Sequence, residues 1–230
     1  LWRAPVPEAR AGSWLFNQLF VNGAPQVRAR IPNEGFLRVA GCPEGTPKTV
    51  NYHTDCQSFQ FSPGDIRADW TNLSQVEVIV YHFWTDSHLP ILSVDPENHI
   101  VKFAHKAGKV FTDDFSEEGA RYIVENVFEG LDAPGEWYLD APRGEVYYIP
   151  LPGDDLDGAE IVAPQLPAFI RINGNPARGE FVEHLAFEGL GFEYSHFRLP
   201  PGNSNDRQGS ASIPAAITLR GARSCRFENC

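Results

Sequence analysis

Methionine is absent from this 230-residue chain, cysteine is limited to four residues, and positive charge is scarce. The 19 Lys and Arg face 30 Asp and Glu, giving a net charge of −11. So acidic a balance argues against nucleic-acid binding and against docking on anionic membranes, both of which need basic patches. No apolar run approaches the ~18 residues required to span a bilayer. Arg3, Glu8 and Arg10 break up the first residues, so no signal-peptide core is visible. Either a leader has been removed or the chain is a piece of something longer. The cysteines show no CxxC spacing, which excludes the usual zinc and thioredoxin-like motifs. Cys42 and Cys56 flank a loop rich in Gly, Pro and Thr, and both a disulfide and two unpaired thiols remain open. There is no phosphate-binding loop, dinucleotide fingerprint, GxSxG elbow or HExxH.

What is present is 42% hydrophobic and 21% charged, the composition of a globular protein. The acidic balance suits a soluble protein that meets neutral substrates, secreted or periplasmic and of bacterial type. Residues 1–13, rich in Pro, Arg and Gly, read as a connector. From 14 to 119 short strands alternate with turn signals, such as Asn22-Gly23 and Pro63-Gly64, which indicates an antiparallel sandwich or small barrel. The β-branched and aromatic run 76–84 is the clearest strand, with 89–94 and 100–103 following it. Residues 120–160 change character. Asn126 with Glu129 three positions on fits a capping box for a short helix. Residues 137–140 and 145–149 then make a hairpin across Pro142-Arg143-Gly144.

Beyond residue 161 the sequence repeats itself. Residues 169–174 (FIRING) are echoed at 216–221 (AITLRG), and 185–190 (LAFEGL) at 225–230 (CRFENC), 40 positions on. Each unit is a short alternating strand closed by Gly or Asn. Such a unit must stack on copies of itself to bury its apolar face, the logic of a parallel β-helix. Cys225 and Cys230 occupy inward positions of this pattern as small apolar fillers. Rungs are expected from about Ile161, and the Pro/Gly/Asn/Ser-rich loop 199–212 projects from them. The expected fold is all-β: a β-sandwich-like domain followed by the first coils of a right-handed parallel β-helix that is truncated at Cys230. An open coil end exposing Leu219 and Phe227 implies self-association or a covering partner.

Several side chains suit a sugar, whose apolar face stacks on rings while its hydroxyls seek polar partners. His82 and Trp84 lie two apart on one face of the expected strand; the alternative is a core Trp beside a satisfied His. His196, Asp206, Arg207 and Gln208 lie in or beside the projecting loop, as groove lining or plain surface. Glycoside hydrolysis needs two carboxyl groups flanking one bond. Glu125, Glu129 and Glu136 are the carboxylates of the 120–160 segment. Glu129 has a structural explanation in the capping box, leaving Glu125 as the catalytic or substrate-binding candidate. Asp113-Asp114 and Glu117-Glu118 read as a solvated acidic loop. Trp137, Tyr138, Tyr147 and Tyr148 read as cross-strand packing pairs. Residues 154–158 (DDLDG) hint at calcium, but Gly153 and Pro164 fall where ligands of the EF-hand loop belong, so no metal or cofactor is expected.

Residues 19–23 (LFVNG) with 28–33 (RARIPN), 81–85 (YHFWT), and above all 122–140 (YIVENVFEGLDAPGEWYLD) resemble the insertion domain of parallel β-helix glycoside hydrolases, family 141 in particular. The resemblance covers nearly the whole chain. It implies a β-sandwich inserted into a right-handed β-helix that acts on polysaccharide, as fucosidases, xylanases and xylosidases do. It also implies that the catalytic carboxylates lie on coils beyond Cys230. Two other readings stand beside it: a non-catalytic carbohydrate-binding or scaffolding module, and a polysaccharide lyase fragment.

Overall fold

A computed structural model describes residues 1–113, 118–197 and 199–230. The protein is nearly all-β: the only α-helix among these residues is the single turn Pro7–Arg10, with a few 3-10 turns besides. The largest element is a seven-stranded antiparallel sheet. Its order runs Arg30–Ile31, Arg121–Glu125, Glu77–Tyr81, Asp86–Asp95, Ile100–Phe103, Ser58–Gln60, and Leu37–Arg38 also pairs with Arg121–Glu125. Just beyond Leu37–Arg38, the amides of Ala40 and Gly41 donate to the Gln60 carbonyl at 2.7 and 3.2 Å. The sheet therefore closes on itself as a small barrel rather than as two face-packed sheets. Alternation explains the interior: Val76, Val78 and Val80 point inward to Leu89, Val101, Phe103 and Tyr122, all at or near zero exposure. Phe59 is the hub, with ring centroids 5.0–5.4 Å from Phe103, Phe111 and Tyr122.

A second core belongs to a four-stranded sheet. The hairpin Glu136–Asp140 and Glu145–Tyr148 pairs Trp137 with Tyr148 and Tyr138 with Tyr147, the cross-strand partners expected. Trp2–Pro5 adds an antiparallel edge to it, with Trp2 opposite Tyr148. Residues 1–13 are thus strand and helical turn rather than a connector. Pro5 is tolerated because an edge strand can spare a donor. Trp137 stacks on Phe16 at 5.5 Å, joining the N-terminal residues to the hairpin.

The expected helix after Asn126 is only the 3-10 turn Phe128–Gly130, with Val127 at its cap and no side-chain capping bond. Asn126 instead adopts a left-handed backbone, φ 57°. Its buried amide accepts from Leu139 N and donates to Gln75 O, bracing the barrel against the hairpin. Arg121–Glu125, placed by the sequence in the separate 120–160 segment, is a central barrel strand.

Past residue 160 the pairing changes hand. Ile161–Val162 is antiparallel to Phe20–Val21, so it is not the first rung of the repeat. Parallel pairs begin with Ile170–Asn173 on Ile217–Arg220, then Val182–Glu183 on Ala222–Arg223, and Ala186–Glu188 on Arg226–Glu228. Their partners are those of the sequence echo: Ile170 meets Ile217, and Phe187 stacks on Phe227 at 4.6 Å. Gly174 and Gly221 stack at one corner, where a Cβ on Gly174 would lie 2.6 Å from the Gly221 carbonyl oxygen. Cys42 Sγ donates to the Phe111 carbonyl at 3.2 Å, while Cys225 is half-buried and Cys230 exposed, so neither of the last two is the buried filler expected. Burial, reinforced by Glu44, pushes the Cys56 thiol up to about 12.

Candidate functional site

The run 76–84 does not continue as strand to its end. Glu77–Tyr81 stops at Tyr81, and a tight turn closed by His82 N donating to Thr85 O leads into Asp86–Asp95. The turn separates the two residues that an uninterrupted strand would have put on one face. His82 turns inward, 4% exposed, with Nε2 2.8 Å from Ser87 Oγ and its ring stacked over Phe111. Burial, with the charge of Lys109 behind it, pushes its pKa down to about 3, so the ring is neutral and structural. Trp84 turns outward, 39% exposed, braced edge-on by Phe83 at 4.8 Å and by Tyr52 at 6.1 Å.

The loop 199–212 comes to this turn because it is tied down on the barrel. His88 N donates to Ser204 O at 2.6 Å, Ser204 Oγ donates to Lys106 O at 2.5 Å, and Asn205 Nδ2 donates to Ala107 O at 3.0 Å. Asp206, Arg207 and Gln208 are carried over Trp84 as a result. Two cavities open between turn and loop. One, of about 330 Å³, is lined by His82, Phe83, Trp84, Asp86 and His88 on one side and Arg207 and Gln208 on the other. The second, of about 620 Å³, shares Trp84, Asp206, Arg207 and Gln208 and adds His53, Lys109 and Asn203. Of the residues singled out in the sequence, His82, Trp84, Asp206, Arg207 and Gln208 therefore meet. His196, 7% exposed, lies in an adjoining cavity of about 450 Å³ with His88, His105 and Phe197.

Glu125 lines none of these spaces. It sits opposite Glu77 in the sheet register, with Arg28 Nη1 3.0 Å from Glu77 and 3.8 Å from Glu125. His88 Nδ1 lies 3.8 Å from Glu77. Burial, with the facing Glu77, raises the Glu125 pKa despite Arg28. Burial also pushes Glu77 up, but His88 and Arg28 outweigh it and hold the carboxyl low. The sequence profile of the GH141 insertion domain matches residues 1–151 of this chain.

The chain belongs to the GH141 insertion-domain family. A solved structure described as a glycoside hydrolase superposes on 94% of the chain with a TM-score of 0.70 at 20% sequence identity. The chain spans 42% of that structure's length. No curated protein matches it.

Within this GH141 insertion domain, and just beyond it at Asp154 and Asp155, the other carboxylates singled out in the sequence are held by the fold. Glu129 Oε1 accepts from both the amide and the hydroxyl of Thr71, at 2.9 and 2.7 Å, rather than capping Asn126. Glu136 is 2% exposed and accepts from the amides of Asp132 and Ala133. Asp154 accepts from Tyr148 Oη and Leu151 N, and Asp155 from Asp157 N. Asp113 faces Arg38 and Arg121, while Asp114 and Glu117 of the same acidic stretch lie outside the described residues. Lys109 and His53 escaped the sequence reading, because a lone Lys after Gly108 or a lone His beside Tyr52 carries no local motif.

Glu125→Gln should leave the protein as stable as before, or up to about 1 kcal/mol more stable at pH 7, because it removes a carboxylate that burial disfavours while Arg28 keeps Glu77. Urea unfolding of the two proteins checks this. A loss above about 2 kcal/mol would mean that Glu125, and not Glu77, holds Arg28 in place.

Proposed function

We propose that this chain is the polysaccharide-gripping part of a larger glycoside hydrolase built on a right-handed parallel β-helix. Its parent reaction is the cleavage of fucosidic or xylosidic bonds. The parallel pairs at offsets of 47 and 40 positions support the β-helix, since each unit rests its apolar side chain on the equivalent residue of the next. The GH141 match and a neighbour more than twice as long support the enzyme. The observation that carries the reading is Trp84, a large aromatic held outward over a polar groove by two other rings. Exposed aromatics rimmed by polar groups mark binding surfaces, and this one has the flat face that a pyranose needs.

The carboxylates of this chain favour binding over chemistry. Hydrolysis needs two carboxyl groups about 5–9.5 Å apart across one bond. Glu129 and Glu136 are consumed by backbone and hydroxyl donors, Glu125 lines none of the cavities around Trp84, and Glu77, on the wall of the adjoining cavity, is tied to Arg28 and His88. The catalytic pair is assigned to further coils of the longer protein.

Titration calorimetry with xylo- and fuco-oligosaccharides tests the reading. Trp84→Ala should weaken binding by about 10-fold, the ~1.4 kcal/mol of one good stacking contact. His82→Gln should weaken binding far less than Trp84→Ala, since the ring, though at the cavity wall, is only 4% exposed. Hydrolysis of aryl fucosides or xylosides by this chain, abolished in Glu125→Gln, would replace the reading with an active site on the barrel.

A further inference from the structure

We infer that the groove beside Trp84 takes an acidic sugar, with Lys109 and Arg207 receiving its carboxylate or sulfate. The inference rests on the carbohydrate reading above and names the class of sugar.

Lys109 carries it. Its residue is 7% exposed, yet it lines the 620 Å³ cavity. Nζ donates to Thr85 Oγ1 at 2.8 Å, and among the described residues it forms no ion pair. A buried ammonium normally has a carboxylate beside it, because leaving water costs several kcal/mol that one hydroxyl does not return. Burial lowers its pKa, and only the more distant Asp86 opposes this. An ammonium with unused donors, in a cavity open to solvent, is arranged to receive an anion from outside.

Arg207 lies on the opposite wall of the same cavity. It is exposed, and among the described residues its guanidinium makes no ion pair, although the protein carries 30 carboxylates. The acidic groups at hand are engaged. Asp206 accepts from the Ser212 amide at 3.1 Å, and backbone donors hold its pKa low against burial. Asp86 lies 3.8 Å from His88 Nε2. The groove thus presents two unpaired cations, the side chains of Gln208 and Asn203, and an aromatic face. A guanidinium and an ammonium that pair with neither Asp206 nor Asp86, the carboxylates of the same walls, match an anionic substituent on a ring stacked against Trp84.

Calorimetry of the chain with trigalacturonate, its neutral methyl ester, and a sulfated galacto-trisaccharide decides the matter. One anionic sugar should bind at least about 10-fold more tightly than the ester, the worth of one charge-assisted pair. The preference should vanish in Lys109→Met, shrink in Arg207→Ala, and fall as salt is raised. Which of the two anionic probes wins identifies the substituent. Equal affinity for acid and ester with retained dependence on Trp84 overturns this inference and leaves the carbohydrate reading standing. An anion preference that survives Lys109→Met also overturns it. Failure of every sugar to bind removes both.

Discussion

Taking the pH from 6.5 toward 3 should strip stability from this protein, and His82→Gln should remove much of that loss. His82 is buried and neutral in the fold, with its pKa pushed down to about 3 by burial and by Lys109. In the unfolded chain it titrates near 6.5. The folded value lies below the unfolded one, so the contribution is complete above pH 6.5 and declines as the unfolded state takes up its proton, until the folded ring protonates near 3. A gap of that size is worth roughly 5 kcal/mol at most. Three other groups share the range. His88 is shifted up, because pairing with Glu77 and Asp86 outweighs burial, so its contribution is present in acid and fades as pH rises. Glu77, held low, adds its own loss as pH falls through the ordinary carboxylate range toward its folded value, whereas Glu125, held high, takes up its proton earlier in the fold and gains stability over the pH just above that range. The slope between pH 6.5 and 4.5 therefore belongs mainly to His82, with His88 and Glu125 working against it. Gln keeps a polar group within reach of Ser87 and carries no charge in either state. Urea midpoints measured every half pH unit decide the point. A His82→Gln profile parallel to the parent's would show that the buried ring is not what acid attacks.

Trp137→Ala should cost about 3–5 kcal/mol, the range for removing a fully buried aromatic, and leave the protein close to its unfolding threshold. Trp137 has no exposure, stacks on Phe16, lies opposite Tyr148 and donates through Nε1 to the Gln26 carbonyl at 3.3 Å. It lies in the core that the first twenty residues share with the 136–148 hairpin. Trp137→Phe should lose far less, because a second ring still meets Phe16. The check is urea unfolding at pH 7, with a loss below about 1 kcal/mol for the alanine variant counting against this account of the second core.

How much of this was legible in the sequence depended on the range of the interactions involved. The echo of 169–174 and 185–190 at 216–221 and 225–230 gave the parallel partners to the residue, because stacked copies repeat the same side chain in the same environment. The 136–148 hairpin was legible because its turn chemistry is local. The end of the strand at Tyr81 was not. The turn holds no Gly or Pro, and the aromatic run His82-Phe83-Trp84 has strand propensity that tertiary context overrides. Trp2–Pro5 read as a connector because its partner strand, Glu145–Tyr148, lies 140 or more residues away. Asn126 has a capping residue's identity and a bracing residue's job, which depends on Leu139 and Gln75 lying on either side of it. The candidate groove was half legible. The loop residues could be named from composition, but their meeting with Trp84 depends on Ser204 and Asn205 tethering the loop to the backbone of Lys106 and Ala107.

The edge pairing of Trp2 with Tyr148 has a further consequence. It brings the two borders of the 1–151 segment side by side, on neighbouring strands about 5 Å apart. A unit whose two crossings nearly coincide is portable. A host chain can take it up at a single loop without spreading its own flanking residues, and joining the borders by a few residues should yield a circular permutant that still folds.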